Sequence, residues 1–171
     1  MPEPLEQRLV AVKARLALQE LLGRYALAVD DHDAEALAAC FTRDAVFGFP
    51  NSGGSVGRDA VVAGFRERFD RFGPTLHVPR FQVLTRLDPT TASGTVVGYA
   101  ELATIDDTVV TSFRYDDEYA VEDGRWRFAS RLVRTLYAMP LRELADGGLA
   151  RAHRKRWPGT VPSDGELPGW A

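Results

Sequence analysis

The chain has 171 residues, 45% of them hydrophobic and 26% charged, with a net charge of −3 and a single cysteine. That length allows one domain with a substantial core. The acidic balance excludes a nucleic-acid binder, which needs a basic surface, and one cysteine excludes both an internal disulfide and a cysteine-rich metal site.

The opening, MPEPLEQRLV, lacks a basic region followed by an apolar block, and no apolar run is long enough for a bilayer. Neither a signal peptide nor a membrane span is expected, and a cytoplasmic location is the default. From Gln7 the pattern is helical. Leu18, Leu21, Leu22, Tyr25 and Val29 form one apolar stripe at helical spacing. The stripe runs into RYALAVDDHD, residues Arg24 to Asp33, where Asp30 follows Val29 directly. An acid that closes an apolar face points either to water or into the space that the face walls.

Asp33 is a good N-cap for a second helix, with Leu37, Cys40 and Phe41 on its face and Thr42-Arg43-Asp44 at its end. Ala45 to Phe49 reads as a short strand, and PNSGG, Pro50 to Gly54, as a loop. Arg58 or Asp59 opens a third helix with Val62, Phe65 and Phe69 on one face, stopped by Gly73-Pro74. The period then changes from helical to alternating. Strands are expected over Thr75–Leu87, Ala92–Ala103, Thr108–Val121 and Arg125–Ala138, separated by turn-rich segments. Strands in succession without intervening helices imply an antiparallel meander, and helices first with sheet last imply an α+β fold. A curved sheet with helices on one face encloses a cone, whose mouth suits a small ligand.

The basic run RAHRKR, Arg151 to Arg156, reads as a solvated tail. The segment MPLRELADGGLARAHRKRW is expected to carry a short helix, and PGTVPSDGELPGW is too rich in Pro and Gly for either helix or strand.

Three histidines are present: His32 in a turn, His77 entering the first long strand in PTLHVPRF, and His153 in the tail. Alternation puts His77 on one face with Pro79 and Phe81. The last strand holds Arg127, Arg131 and Arg134; Arg127 and Arg131 are expected to share a face, with Arg134 opposite unless a bulge intervenes. Tyr25, Asp30, His77 and one of these arginines are coherent chemistry. Asp30 would fix the His77 tautomer and stabilise its imidazolium. The free nitrogen would take a proton from carbon, while Tyr25 or arginine polarises a carbonyl or helps a leaving group depart. That equipment serves elimination or isomerisation, with no metal and no cofactor. There is no phosphate-binding glycine loop and no HExxH.

The stretch YALAVDDHDAEALAACFTRDAVF resembles the opening of SnoaL-like proteins of the nuclear-transport-factor-2-like (NTF2-like) superfamily, and SFRYDDEYAVEDGRWRFASR resembles their last hairpin. The resemblance covers about residues 7 to 140 and is strongest to the cofactor-free lyases: scytalone dehydratase, hexachlorocyclohexane dehydrochlorinase and bile acid 7α-dehydratase. It implies a cone of three N-terminal helices on a curved, mostly antiparallel sheet, with a SnoaL-like domain over 1–140 and a C-terminal extension over 141–171. It implies a catalytic Asp–His dyad at Asp30 and His77. Tyr25 matches a tyrosine of the bile acid enzyme, a position held by lysine in the dehydrochlorinase. Arg131 matches the dehydrochlorinase's arginine, whereas alignment to the bile acid enzyme favours Arg134. A homo-oligomer, trimer or dimer, is also implied.

The function expected first is a lyase or isomerase acting on an apolar cyclic or aromatic small molecule, held by Phe47, Phe49, Phe65, Phe69, Phe81, Tyr99 and Tyr115. A polyketide cyclase using the same base for aldol closure is the second reading. A non-catalytic binding or assembly module is the third.

Overall fold

The computed structural model describes residues 4–50 and 53–166. Three helices precede the main sheet: α1 (Leu5–Asp30), α2 (Ala34–Ala39) and α3 (Arg58–Phe69). The strands are β1 (Phe41–Gly48), β2 (Ser55–Val56), β3 (Thr75–Leu87), β4 (Thr91–Ala103), β5 (Thr108–Glu122) and β6 (Arg125–Pro140). A short helix α4 (Leu141–Ala145) and a 3-10 turn at Gly148–Ala150 follow. The six strands make one sheet in the order β2-β1-β6-β5-β4-β3. β3 to β6 form the expected antiparallel meander, while β1 runs parallel to β6. This is the expected α+β architecture: helices against one face of a curved, mostly antiparallel sheet.

The whole predicted stripe of α1 is buried, Leu18 completely, and Tyr25 and Val29 nearly so. The helix ends in a Schellman motif. His32 adopts the left-handed conformation, with φ of 54°. Its N–H donates to the Val29 carbonyl at 3.2 Å, and the Asp33 N–H donates to Ala28 at 2.9 Å. Asp33 at once caps α2, its Oδ1 accepting from the N–H groups of Glu35 and Ala36 at 3.0 and 2.9 Å. Asp30 is therefore the last residue of a helix that two consecutive caps terminate.

α2 is shorter than its pattern implies. Phe41 starts β1 instead of extending the helix, and Thr42 to Asp44 lie within that strand. Phe41 pairs with Phe128, and the Phe128 N–H donates to the Cys40 carbonyl at 2.8 Å. Cross-strand pairing at the sheet outweighs one more helical turn, and Phe41 is buried either way. In the expected loop, Asn51 and Ser52 lie outside the described residues, and the two-residue β2 follows it.

Bulges reset the alternation in two strands. The β3–β4 register skips Arg80 and Thr85, and the β5–β6 register skips Ala129 and Leu136. The Ala129 bulge turns Phe128 and Arg131 to the same inner face, so Arg127 and Arg131 do not share a face as simple alternation predicts. Arg127 instead donates to the Ala39 carbonyl and approaches Glu122.

The basic run is not a solvated tail. β1 stops at Gly48, opposite Leu132, so the edge of β6 beyond that point has no neighbouring strand. The C-terminal segment covers it. The Ala138 N–H donates to the Arg154 carbonyl, and the Ala138 carbonyl accepts the Arg156 N–H. Lys155 is bridged in turn to Ser163, and the Glu166 N–H donates to Thr135. Covering an open strand edge removes a template for unwanted pairing. Arg156 is held by Glu143 at 2.7 Å. No described helix is long and apolar enough to cross a membrane.

Candidate active site

Asp30 and His77 meet where the end of α1 faces the start of β3. His77 Nδ1 lies 2.6 Å from Asp30 Oδ1. The backbone N–H of His77 donates to Oδ2 at 2.8 Å, and the Thr75 hydroxyl donates to Oδ1 at 2.8 Å. Thr75 and His77 are two residues apart on a strand and so share the face toward Asp30. Burial alone would raise the Asp30 pKa, but the hydrogen bonds from the His77 ring, the His77 backbone and Thr75 outweigh it and hold the carboxyl below its usual value. An ionised Asp30 accepts the Nδ1 proton, which leaves the lone pair of His77 on Nε2.

His77 lines a cavity of about 550 Å³ between helices and sheet. Phe47, Phe49, Phe65, Phe69 and Tyr115 of the expected lining face it, together with Tyr25, Phe72, Phe113 and Trp157. Phe81 and Tyr99 do not. The Arg80 bulge turns Phe81 outward, where it is 57% exposed. Tyr99 is likewise absent from the cavity wall, its ring 5.7 Å from the Arg80 guanidinium.

Asp30 and His77 meet, and Tyr25 lines the same cavity as His77; the arginines of β6 are not in its wall. Arg134 pairs with Asp116 at 2.5 Å, with its side chain 38% exposed. Arg131 is fully buried beneath the site, donating to Asp117 from Nε and Nη2 at 2.8 and 2.7 Å. Its guanidinium carbon is 4.4, 3.9 and 3.8 Å from the ring centres of Tyr25, Tyr115 and Phe128. Nη1 is buried without a hydrogen-bond partner. Burial opposes its charge, but Asp117 more than compensates, and Arg131 stays protonated. Burial also raises the Tyr25 pKa, with Arg131 working against the rise, so the phenol keeps its proton at neutral pH.

Several wall residues carry no local sequence signal. His32 stacks on Phe69 with ring centres 4.6 Å apart. Arg68 lies over the rings of Phe47, Phe49 and Phe65. Thr75 could have been found by the two-residue strand period that places it beside His77. Lys155, Trp157 and Glu166 arrive only because the tail returns to β6. No cluster of His, Cys, Asp and Glu suited to a metal ion occurs among the described residues.

A cone of helices on a curved, mostly antiparallel sheet is the fold of the NTF2-like superfamily. Within it the chain belongs to the SnoaL-like family, whose domain model matches residues 10–132. No curated protein sequence matches. Solved structures do. A candidate scytalone dehydratase from Novosphingobium aromaticivorans superposes with a TM-score of 0.73 at 20% identity, covering 89% of this chain and 97% of its own. A type 2 hexachlorocyclohexane dehydrochlorinase (LinA) gives 0.73 at 18% identity, over 90% of this chain and 99% of its own. LinA-type3 from Novosphingobium barchaimii gives 0.72 at 20%, over 78% and 94%. At these identities the likeness carries the fold alone.

Proposed function

We propose that the protein is a lyase or isomerase of the dehydratase or dehydrohalogenase type, needing no cofactor, that acts on an apolar cyclic small molecule. The observation that carries this reading is the 2.6 Å contact between His77 Nδ1 and Asp30 Oδ1 at the wall of an aromatic cavity. His77 Nε2 takes a proton from a carbon next to an electron-withdrawing group. The C–H electron pair becomes the new double bond, and the leaving group departs with its own pair. Halide leaves directly; hydroxide leaves as water after receiving a proton. Tyr25, protonated and in the cavity wall, is the group placed to give it. The fixed charge of Arg131 under the Tyr25 ring favours negative charge developing on that phenol. Asp30 stabilises the imidazolium and never moves. General-base catalysis of this kind is worth roughly two to four powers of ten.

The family resemblance and the dehydratase and dehydrochlorinase names of the structural neighbours support the same reaction class. Exposed apolar side chains on the outward edge strand, Leu76, Val78, Phe81 and Val83, suit a homo-oligomer, which sedimentation would test. The test of the reaction is turnover of cyclic halides, β-hydroxy ketones and their isomers, with product mass recorded. Elimination loses water or acid; isomerisation and ring closure by aldol addition do not change mass. His77→Gln should abolish turnover of whichever compound reacts. Undiminished turnover in that variant would sink the reading.

A further inference from the structure

A part of the cavity wall four strand steps from His77 is ionic. Following the pairing across the sheet, His77 lies opposite Ala100, Ala100 opposite Thr111, Thr111 opposite Ala138, and Ala138 beside Lys155. Lys155 is thus four strand spacings from His77 along one row, about 19 Å of curved sheet at roughly 4.8 Å per step. Both side chains line the same cavity.

Lys155 is held rigidly there. Its N–H donates to the Ser163 carbonyl and its carbonyl accepts the Ser163 N–H, both at 2.9 Å. Its ammonium donates to Glu166 Oε1 at 2.5 Å, and the two side chains are only 18% and 19% exposed. Glu166 is fixed in turn: Oε2 accepts the Thr135 N–H at 2.8 Å, and its own N–H donates to the Thr135 carbonyl at 2.9 Å. A lysine ammonium has three N–H donors, and Glu166 uses one. The charge balance of the cavity lining points the same way. Arg68, Arg71 and Lys155 line the cavity with the carboxylate Glu166, and Arg71 is also bridged to Glu67 at 3.9 Å, in a chain whose net charge is −3. A partly buried ion pair against aromatic rings adds little to stability, because desolvation cancels much of the attraction. Its value is as a built polar patch in the wall of an apolar chamber.

We infer that the substrate is anionic: an apolar ring system whose reactive C–H meets His77 and whose carboxylate is received by the Lys155 ammonium at this part of the wall. The inference deepens the proposed function and rests on this cavity being the reaction site. Glu166 positions the ammonium and competes weakly with the ligand for it.

The test uses the full chain and two probes of matched shape, naphthaleneacetate and its neutral primary amide, with binding measured by titration calorimetry. The wild type should bind the carboxylate about tenfold tighter than the amide, as a charge-assisted hydrogen bond predicts. Lys155→Met should erase that preference by weakening the carboxylate more than the amide, and Lys155→Arg should keep it. Glu166→Gln, which retains an acceptor for Thr135, should raise carboxylate affinity by freeing the ammonium. If the ion pair were only a strut, Glu166→Gln would weaken both probes together. Equal affinities in the wild type, no carboxylate binding, or a preference that survives Lys155→Met overturns the inference. His77→Gln should leave the preference intact, so failure here and failure of the catalytic reading are separate results.

Discussion

Replacing Asp30 by Asn tests the mechanism at one atom. In the native site Oδ2 accepts the His77 backbone N–H, while Oδ1 accepts from both the Thr75 hydroxyl and His77 Nδ1. The backbone N–H cannot reverse its role; the other two partners can, by hydroxyl rotation and by tautomer exchange. The introduced amide therefore keeps its oxygen on the His77 N–H and turns its NH₂ toward Nδ1. Nδ1 becomes an acceptor, and the ring proton moves to Nε2. The group meant to accept a proton from substrate then carries one. The expected cost is about two to four powers of ten in kcat, the worth of a general base, with little change in KM. Stability should fall by about 1–3 kcal/mol, since a charge-assisted hydrogen bond is replaced by a neutral one. Imidazole nitrogen chemical shifts read the tautomer without any substrate. Protonated Nδ1 is expected in the wild type and protonated Nε2 in the variant. An unchanged tautomer, or turnover within a few-fold of wild type, refutes the reasoning.

The same contacts set an acid limb. Because the folded Asp30 pKa is below its unfolded value, its contribution to stability is full above the unfolded carboxylate range and is lost as pH falls through the folded value. The gap in melting temperature between wild type and Asp30→Asn should therefore be widest near neutrality and close in acid, below about pH 4. Arg131→Met leaves Asp117 buried and unpaired and should cost about 3–5 kcal/mol by denaturant titration, much of it recovered when Asp117→Leu is added. Gly98→Ala drives a methyl to within 2.3 Å of the Phe113 ring. A loss of about 1–3 kcal/mol is expected in denaturant unfolding, with Phe113 forced to turn beside His77.

How far the sequence could be read depended on whether a residue's position is local. The α1 stripe, the Asp33 cap and the four long strands are short-range patterns, and they appear with strand ends within two residues of the expected ones. Asp30 and His77 were legible because one closes an apolar stripe and the other opens a strand. Phe81 and Arg127 fail for a shared reason. Each is separated by a bulge from the residue it was expected to share a face with, and the extra residue at Arg80 or Ala129 is fixed by cross-strand register, which neither strand's sequence displays alone. Phe41 fails because positions 37, 40 and 41 suit a helical face, while its pairing partner Phe128 lies 87 residues away.

The tail shows why the site could be only half read. Nothing in RAHRKR distinguishes Lys155 from its neighbours; each is a cation in a polar run. What selects it is the vacant edge of β6, and that vacancy exists because β1 ends at Gly48. A strand edge must find a partner, a cover or a deterrent charge. Here the cover passes the cavity, so the device that completes the sheet also supplies Lys155, Trp157 and Glu166 to the wall. Asp30 and His77 lie on elements within the family match at residues 10–132, while these three residues lie beyond it. That division separates two demands on the chain. On the proposed reading, proton transfer would ride on the matched cone and the inferred carboxylate selectivity on a surface segment outside it, the kind of segment that tolerates change more readily than core strands.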